Sequence, residues 1–359
     1  MKIYRTKDIG IIDRLYMEKT GVKEQDLIER AAHAFVQAFI CEEKKPGRVM
    51  VVAGPGNNGA DARSVARLLS EHGWKTDLWD FSGKDAFDRQ QADWSAYLGN
   101  LPSGIVVVDG LFGSGLTRPV TGSFAQIIEG INSLNTRVYA VDIPSGLPGE
   151  GMPFDSGAVV KASVTFTFQF PKMSFLFAEN YPYVGRWEVL DIGMGGMAYS
   201  EVETPFRMIE ESDIHNLFPR KRHPFSFKNN YGHALLIAGS LGKMGAAILS
   251  ARSCLRVGTG LLTVHLPGRG EIPMQTSLPE AMVSLDSHRD VAGDLPQGLL
   301  TLKTPYTAIG AGPGLGTSPE TADLLRNLLI WFGDKTPFPP LVLDADALNI
   351  LSEHPGMLE

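Results

Sequence analysis

Apolar residues occur along this chain in short unbroken runs, and a glycine-rich turn follows many of them. The first run, RVMVVA at 48–53, is rich in β-branched residues and contains no alternating polar positions. Such a run is typical of a strand that is buried on both faces of a sheet. Before it, over 25–39, apolar residues recur three and four positions apart, which predicts an amphipathic helix.

Five further segments in the first two hundred residues are predicted to be strands, some of them with a turn. They lie at 74–81, 104–115, 136–146, 162–170 and 186–193, with a helix expected directly after the first glycine-rich turn, from Asp61 onward. Strands separated by helix-length segments are typical of βαβ units, and therefore of a mostly parallel sheet with helices on both faces.

The pattern lapses over a turn-rich polar stretch, GMGGMAYSEVETPFRMIEESD, and then starts again. The second series predicts a strand and turn in each of 233–240, 307–316 and 340–351, a strand at 261–267, and helices at 245–258 and 319–333. We therefore predict two α/β domains, 1–205 and 206–359. The first is expected to be a Rossmann-like three-layer αβα domain.

Composition and charge narrow the classes of function. Hydrophobic residues make up 43% of the 359 residues, which suits a soluble globular protein, and the net charge of −7 argues against a general nucleic-acid binder. Cys41 and Cys254 are far apart and form no CxxC pair, so we expect no disulfide framework or zinc site, and a cytoplasmic location. No apolar run approaches 18 residues and the N-terminus is charged throughout, so neither a membrane span nor a signal peptide is predicted.

Glycine accounts for 39 residues, and one cluster of them, Gly54-Pro-Gly-Asn-Asn-Gly59, separates a predicted strand from a predicted helix. The spacing matches GxGxxG, whose glycines let the backbone approach a pyrophosphate, and Asp77 lies where a ribose-binding acid could stand. The Asn57-Asn58 pair is unusual for that motif, because its amides could also contact an amide-bearing ligand or ligate a cation. A tight turn with asparagine caps remains the alternative.

Acidic residues end two further predicted strands, at Asp109 and Asp142. Each could be a turn or N-cap acid. Together with Asn57 and Asn58, however, they are expected to converge on one crevice at the carboxyl edge of the sheet, where their oxygens would suit a hard cation. Ser145 is not part of a GxSxG motif, so an α/β-hydrolase nucleophile is not expected.

The second half has glycine-rich turns of its own. GSLGKM at 239–244 lacks the spacing of a P-loop, and no Ser or Thr follows Lys243, so we reject that interpretation. The turn at 310–316, GAGPGLG, could approach a ligand closely or could be a packing turn. Asp344 and Asp346 could bind a cation, act as a base or cap a helix.

Several of these segments resemble known families. GPGNNGAD, VDGLFGSGLTR, VDIPSG and TFTFQFPK, in this order, resemble the YjeF N-terminal domain, an NAD(P)HX epimerase, over about residues 1–195. The segments from YGHALLIAGSLGKMGAAILSARSC through IGAGPGLG to VLDADALN resemble the ribokinase-like, ADP- or ATP-dependent NAD(P)HX dehydratase. Joined in this order, the two resemble the bifunctional NAD(P)H-hydrate repair enzymes, which act on NAD(P)H whose nicotinamide ring has been hydrated.

The resemblance implies a role for particular residues. Potassium would be held by Asn58, Asp109 and Ser145, and Asp142 would be the catalytic acid or base that also contacts the substrate. The first substrate loop would comprise Asn57, Asn58, Gly59, Ala60 and Asp61. The second would comprise Gly113, Ser114, Gly115, Leu116, Thr117, Arg118 and Pro119. In the dehydratase-like half, Ala246 and Gly314 would face NAD(P)HX, with ADP or ATP and Mg²⁺ as its cofactors. A homodimer or higher homo-oligomer is also implied.

Two departures from the family pattern qualify these expectations. Ala60 and Ala62 replace glycines of the family loop, and their Cβ atoms would obstruct it if φ were positive or the ligand packed tightly. The family's later GxGD segment does not occur among the 359 residues, so the second half is expected to be a partial domain without dehydratase activity. We therefore predict an NAD(P)HX epimerase. A non-catalytic nucleotide-binding module and an NAD-dependent oxidoreductase remain the alternatives.

Overall fold

The computed structural model describes residues 1–83, 94, 96–101, 104–199, 201–217, 222–300, 306–333 and 339–358. The chain divides into two compact units, Met1–Phe218 and Pro219–Glu359. Both units are parallel sheets with helices packed against them, so the predicted α/β class is confirmed.

The first unit contains a six-stranded sheet in the order β2-β1-β3-β4-β5-β6, and all neighbouring strands are parallel. Its strands are β1 (Arg48–Ala53), β2 (Lys75–Asp80), β3 (Val106–Gly110), β4 (Val138–Val141), β5 (Val164–Phe168) and β6 (Arg186–Leu190). Each lies within a segment that the sequence predicts as a strand. The central strands β1, β3 and β4 are buried almost throughout, as their apolar runs predict, whereas the edge strands β2 and β6 carry polar residues and are partly exposed.

Helices cover the two faces of this sheet. They are α1 (Thr6–Thr20), α2 (Glu24–Glu43), α3 (Asn57–Glu71), α4 (Ser123–Ser133), α5 (Tyr181–Val184), α6 (Gly196–Tyr199) and α7 (Glu211–Leu217), with 3₁₀ turns at Met173–Leu176 and Ala178–Asn180. Successive residues of β1 point to opposite faces: Val49 and Val51 pack with α2 and α3, whereas Met50 and Val52 pack with α4. The unit is therefore a three-layer αβα structure.

The second unit contains a five-stranded parallel sheet in the order β11-β10-β7-β8-β9. Its strands are β7 (His233–Ile237), β8 (Leu261–Leu266), β9 (Met282–Leu285), β10 (Ala308–Ala311) and β11 (Leu341–Leu343). Its helices are α8 (Met244–Val257), α9 (Glu271–Ser277), α10 (Pro319–Gly333) and α11 (Asp346–Glu353), with 3₁₀ turns at Lys228–Tyr231, Gly268–Gly270, Gln297–Leu299 and Pro355–Leu358. One core cluster packs against α10 and α11, and another packs against α8 and α9.

Some elements differ from the sequence-based expectation. Helix α3 begins at Asn57, four residues before the predicted start, with Gly56 in extended conformation as its N-cap. Helices α1, α4 and α11 and strand β9 were not predicted, and α11 begins at Asp346, inside the segment 340–351 that the sequence assigns to a strand and turn. The residues just past the predicted boundary at 205/206 bond with the N-terminal segment, since Met208 N donates to Met1 O at 2.8 Å. The predicted boundary between the two functional domains, at 205/206, therefore remains a prediction.

Candidate active site

The predicted site residues of the first unit lie at the carboxyl ends of adjacent parallel strands. Asn57 and Asn58 open the helix that follows β1, Asp109 lies next to the end of β3, and Asp142 directly follows β4. Because β1, β3 and β4 are neighbours in the sheet, these residues share one edge. The predicted convergence is therefore present in the fold.

Asp109 and Ser145 form a buried hydrogen-bonded pair at this edge. The Ser145 hydroxyl donates to Asp109 Oδ1 at 2.6 Å, and the Ser145 N–H donates to Oδ2 at 2.8 Å. Both side chains are fully buried. Burial raises the pKa of Asp109 to about 6, although the bonds from Ser145 and Leu111 lower it.

Asn58 adds a third polar side chain beside this pair. Its amide Nδ2 donates to Phe112 O at 2.9 Å, whereas its Oδ1 accepts no hydrogen bond from the described residues. The Ser145 hydroxyl also accepts the Phe112 N–H at 2.8 Å, so the same loop contacts both side chains. A carboxylate, a hydroxyl, an amide oxygen and a carbonyl are thus gathered at one place. This all-oxygen set fits a hard monovalent cation such as potassium.

Asp142 occupies a strained position that aims it at the same edge. Its φ is +63°, and Ile143 N donates to Val141 O at 2.7 Å across it, which makes a γ-turn at the end of β4. A non-glycine residue in this conformation costs on the order of 1–3 kcal/mol and often marks a functional site. The carboxylate is held in place by the Thr167 hydroxyl at 3.0 Å and the Phe168 N–H at 3.1 Å.

Lys172 is the closest cation to Asp142 and is a residue that the sequence did not single out. Its Nζ lies 2.6 Å from Asp142 Oδ1, and its side chain is only 3% exposed. All the hydrogen bonds that Asp142 accepts from the described residues go to Oδ1, so Oδ2 is left available. A lysine that becomes buried must find a partner, but the TFTFQFPK segment by itself does not show that Lys172 does so.

Asp13 and Asp61 lie within electrostatic reach of this pair. Burial raises the pKa of Asp13 to about 6, while Lys172 lowers it and Asp142 raises it. Burial also raises the pKa of Asp61 well above its ordinary value, and the negative charges of Asp142 and Asp13 raise it further. Asp61 was predicted as a substrate contact, whereas Asp13 was missed because α1 was not predicted.

Ala60 and Ala62 lie inside α3 with ordinary negative φ, so their Cβ atoms impose no backbone strain. The Ala62 side chain is fully buried and packs against Gly110, where an added Cβ would come within 2.3 Å of it. The methyl group of Ala62 therefore belongs to the helix–sheet contact. The expected obstruction from a positive φ does not arise at either residue.

The loop Gly113–Pro119 follows β3 and borders the same edge. Gly113 packs on Asn58, since an added Cβ would stand 3.3 Å from the Asn58 Cβ. Gly149 is similarly close to Ser114 and to Thr6, the first residue of α1. Within this loop, Gly115, Thr117 and Arg118 are exposed to solvent. Leu116 and Pro119 are partly buried, and Leu116 packs against the core cluster on the α4 face.

In the second unit the two predicted substrate residues face each other. Gly314 has φ +66°, and an added Cβ would stand 3.0 Å from Ala246 Cβ and 2.7 Å from Lys243 O. Asp346, at the start of α11, accepts hydrogen bonds from Gly316 N at 2.8 Å and from Lys243 Nζ at 3.0 Å. Three glycine-rich or acidic turns thus meet at the carboxyl edge of this sheet. Asp344 is exposed.

Comparison with known proteins identifies the family. Residues 24–174 match the family described as YjeF-related protein N-terminus, and residues 234–358 match the family described as NAD(P)H-hydrate dehydratase. The bifunctional NAD(P)H-hydrate repair enzyme Nnr of Coxiella burnetii is 33% identical over 99% of this chain and 72% of its own length. The chain belongs to the bifunctional NAD(P)H-hydrate repair enzymes.

Two further proteins are similar to this chain or to part of it. Nnr of Thermofilum pendens is 31% identical over 98% of this chain and 69% of its own length. A solved ADP/ATP-dependent NAD(P)H-hydrate dehydratase from Bacillus subtilis, crystallised with ATP and Mg²⁺, is 29% identical, with a TM-score of 0.32, over 39% of this chain and 46% of its own. The predicted joining of an epimerase-type domain to a dehydratase-type domain is confirmed.

The position of Asp77 bears on the alternative of an NAD-dependent oxidoreductase. Asp77 lies inside β2 and bonds with Arg48 at 2.7 Å and with Tyr97 at 2.7 Å, so it does not end the strand as a ribose-binding acid would.

Within the part of the chain that the structure describes, no helix combines the length and apolarity needed to cross a membrane.

Proposed function

We propose that the first domain of this chain interconverts the R and S epimers of NAD(P)HX, with Asp142 as its acid–base residue. One observation carries the proposal: Asp142 Oδ1 is held by Lys172 and Thr167 while Oδ2 remains available at the ligand-binding edge. A fixed carboxylate with one free oxygen can take or give a proton at a defined point, which is what general acid–base catalysis requires.

The chemistry of the substrate is simple enough for this set of groups. The carbon that carries the hydroxyl is bonded to the ring nitrogen, whose lone pair can stabilise that carbon when the hydroxyl leaves as water. Water that returns on the opposite face gives the other epimer. One group must protonate the leaving hydroxyl and another must deprotonate the incoming water, and no net oxidation occurs. The Lys172 ammonium and the Thr167 hydroxyl hold Asp142 Oδ1 in place, which leaves Oδ2 to exchange a proton with the substrate.

We also propose that Asn58, Asp109 and Ser145 hold a potassium ion beside the reaction centre. Their oxygens, with Phe112 O, form the hard-donor set that such an ion prefers. A bound cation would offset the cost of burying the Asp109 charge, and when bound it would supply positive potential toward the substrate. Replacing Ser145 by alanine removes one ligand and is expected to raise the potassium concentration needed for half-maximal activity.

Substrate contacts in this proposal come from the two loops that border the edge. Asn57 to Asp61 open α3, whose N-terminal N–H groups favour an anionic pyrophosphate. Gly113 to Pro119 lie opposite, and the exposed Arg118 adds a cation. The backbone at Ala60 and Ala62 is that of an ordinary helix, so it is compatible with this arrangement.

The test is direct. NADHX enriched in one epimer is incubated with the chain and potassium, and both epimers are followed by chromatography. We expect interconversion well above the spontaneous rate, and less of it when lithium replaces potassium at equal ionic strength. Interconversion at the spontaneous rate would reject the proposal, whatever the protein binds.

For the second domain we propose that Ala246 and Gly314 contact NAD(P)HX, with ADP or ATP and Mg²⁺ as the cofactors. The facing turns and the Lys243–Asp346 pair support a ligand site there. Incubation of S-NADHX with the chain, ATP and Mg²⁺, monitored by the absorbance of NADH, tests this site.

We further propose a homodimer in a reducing compartment, the cytoplasm. Cys41 and Cys254 are both free thiols, which agrees with a reducing environment. Light scattering after size-exclusion chromatography measures the mass, and a monomeric mass at micromolar concentration would refute the dimer.

A further inference from the structure

The end of strand β2 places an acidic residue beside the first glycine-rich turn. Asp80 is the last residue of β2, and in the parallel pairing with β1 it is level with Ala53, the last residue of β1. Phe81 N donates to Ala53 O at 2.8 Å, so the two strands stay paired up to this point. Asp80 therefore lies at the carboxyl edge of the sheet, next to the turn that begins at Gly54.

Arg63 joins Asp80 to that turn. Its Nη1 donates to Gly54 O at 3.1 Å and to Asp80 Oδ1 at 3.3 Å. The Ser82 N–H also donates to Asp80 Oδ1, at 3.0 Å, whereas Oδ2 accepts no hydrogen bond from the described residues. The side chains of Arg63 and Asp80 are 34% and 31% exposed, so a ligand can reach them. Asp80 is thus a fixed carboxylate with one open oxygen.

The three glycines of the turn have different surroundings, and the middle one is open. An added Cβ at Gly54 would stand 1.7 Å from Leu111 O, and one at Gly59 would stand 1.9 Å from Gly54 O. An added Cβ at Gly56 would meet no atom within 4 Å. In dinucleotide-binding turns the first glycine permits the tight turn, the third lets the helix pack on the strand, and the second leaves room for the pyrophosphate. The glycines of 54–59 divide these tasks in the same way.

The order of the strands sets the course of a dinucleotide along this edge. The sheet runs β2-β1-β3-β4, and the proposed function puts the hydrated ring at Asp142, after β4, and the pyrophosphate at the start of α3, after β1. In the same direction, the adenosine half then reaches the end of β2. Three spacings of about 4.8 Å separate β4 from β2 by roughly 14 Å, which an extended dinucleotide spans.

We propose that Asp80 is a specificity residue that binds the 2′-hydroxyl of the adenosine ribose and thereby favours NADHX over NADPHX. This inference rests on the proposed function and names the form of the substrate that the same site accepts. The open Oδ2 accepts a hydrogen bond from the ribose hydroxyl. In NADPHX a phosphate replaces that hydroxyl, which removes the donor and brings a second anion against the carboxylate.

Arg63 is the positioning residue of this pair and does not make a site for the 2′-phosphate. Its guanidinium holds Asp80 Oδ1 against the turn through Gly54 O. Its charge is already paired with Asp80, so the two side chains together are neutral and offer the phosphate no net positive charge. The selection therefore comes from Asp80.

The test compares kcat/KM for NADHX and for NADPHX in potassium buffer, with the wild-type chain, Asp80→Asn and Glu71→Gln. We expect wild type to prefer NADHX by at least about tenfold. Asparagine keeps the shape of the side chain and loses its charge, so Asp80→Asn should lower this ratio by about tenfold, chiefly through a lower KM for NADPHX. Glu71 lies at the other end of α3 and pairs with Arg67, so Glu71→Gln should leave the ratio in place.

The ratio separates selection from a merely structural role, because damage to the fold lowers kcat/KM for both substrates alike. Equal use of both substrates by wild type, or an unmoved ratio in Asp80→Asn, would overturn the inference. If Asp80→Asn does not fold, Asp80→Ser replaces it. The shorter serine also removes the charge, and the same change in the ratio is expected.

A binding measurement tests the inference apart from turnover. ADP-ribose and 2′-phospho-ADP-ribose contain the pyrophosphate and the adenosine ribose but lack the nicotinamide ring. Isothermal titration calorimetry of wild type should give a Kd at least about tenfold lower for ADP-ribose, and Asp80→Asn should lose this difference. Equal or reversed affinities, or binding of neither probe, would refute the role of Asp80. Failure of the proposed function is a different result, because the epimers would then not interconvert whatever the two Kd values are.

Discussion

Replacing Lys172 with methionine removes the cation that contacts the Asp142 carboxylate among the residues that the structure describes. The side chain of Lys172 is 3% exposed and that of Asp142 is 17% exposed, so water can replace little of the lost interaction. Methionine has a similar volume, and the apolar stem of the side chain is largely kept. The substitution therefore isolates the charge and its bonds to Asp142 and to Thr167, at 2.6 and 3.0 Å.

The size of the effect follows from the burial of the pair. Breaking a buried ion pair by removing one partner costs about 3–5 kcal/mol, and we expect about 3 kcal/mol because Asp142 retains some exposure. Loss of the ammonium also releases the Asp142 carboxylate from its fixed position. An acid–base group that is no longer positioned loses its catalytic contribution, so kcat should fall by about 10²–10⁴.

Urea unfolding followed by tryptophan fluorescence measures the stability term. Four of the five tryptophans belong to the first unit, so the signal reports mainly on the domain that contains Lys172. Lys161→Met is the matched control, because Lys161 is exposed and its side chain makes no hydrogen bond with the described residues. A Lys172→Met chain that unfolds within about 0.5 kcal/mol of wild type at pH 7, with normal activity, would refute this view of the pair.

Three other predictions follow from single positions. Gly59→Ala should cost about 1–3 kcal/mol in urea unfolding, because the new Cβ would stand 1.9 Å from Gly54 O, whereas Gly56→Ala meets no atom within 4 Å and should be tolerated. Asp13 has a raised pKa of about 6, so its contribution to stability is full below about pH 4 and is lost as the pH rises through 6. Between those pH values the free energy of unfolding should fall by up to about 3 kcal/mol more in wild type than in Asp13→Asn, and equal slopes would contradict the shift. Asp346→Asn should destabilise the second unit by about 1–2 kcal/mol in thermal unfolding, because Asp346 accepts from Gly316 N and Lys243 Nζ, and the exposed Asp344→Asn serves as the control that should lose almost nothing.

Much of this fold could be predicted from the sequence because its signals are local. β1 is RVMVVA in both the pattern and the structure, and α10 occupies the whole of the predicted 319–333 segment. Buried parallel strands and amphipathic helices have characteristic patterns, so their place needs no knowledge of their neighbours. The convergence of Asn58, Asp109 and Asp142 followed from one further rule, that parallel strands share a carboxyl edge.

The parts that were missed depend on contacts between distant segments. β9 is a short edge strand with exposed residues, so it lacks the apolar run of the central strands. Lys172 becomes a site residue only because the end of β5 lies beside the end of β4. Asp13 comes within electrostatic reach of Asp142 and Lys172 only because α1 packs against Phe170. Neither an isolated lysine nor one charge on a polar helix carries a local signal of that role.

The central claim is that Asp142 performs the acid–base chemistry of NAD(P)HX epimerisation. The most direct test is the rate at which one epimer of NADHX converts to the other, measured in potassium buffer for wild type, Asp142→Asn and Asp155→Asn. Asp155 is exposed and makes no hydrogen bond with the described residues, which makes it the matched control. We predict that wild type and Asp155→Asn accelerate the conversion equally and that Asp142→Asn loses at least about a hundredfold. An Asp142→Asn chain as fast as wild type would contradict the claim.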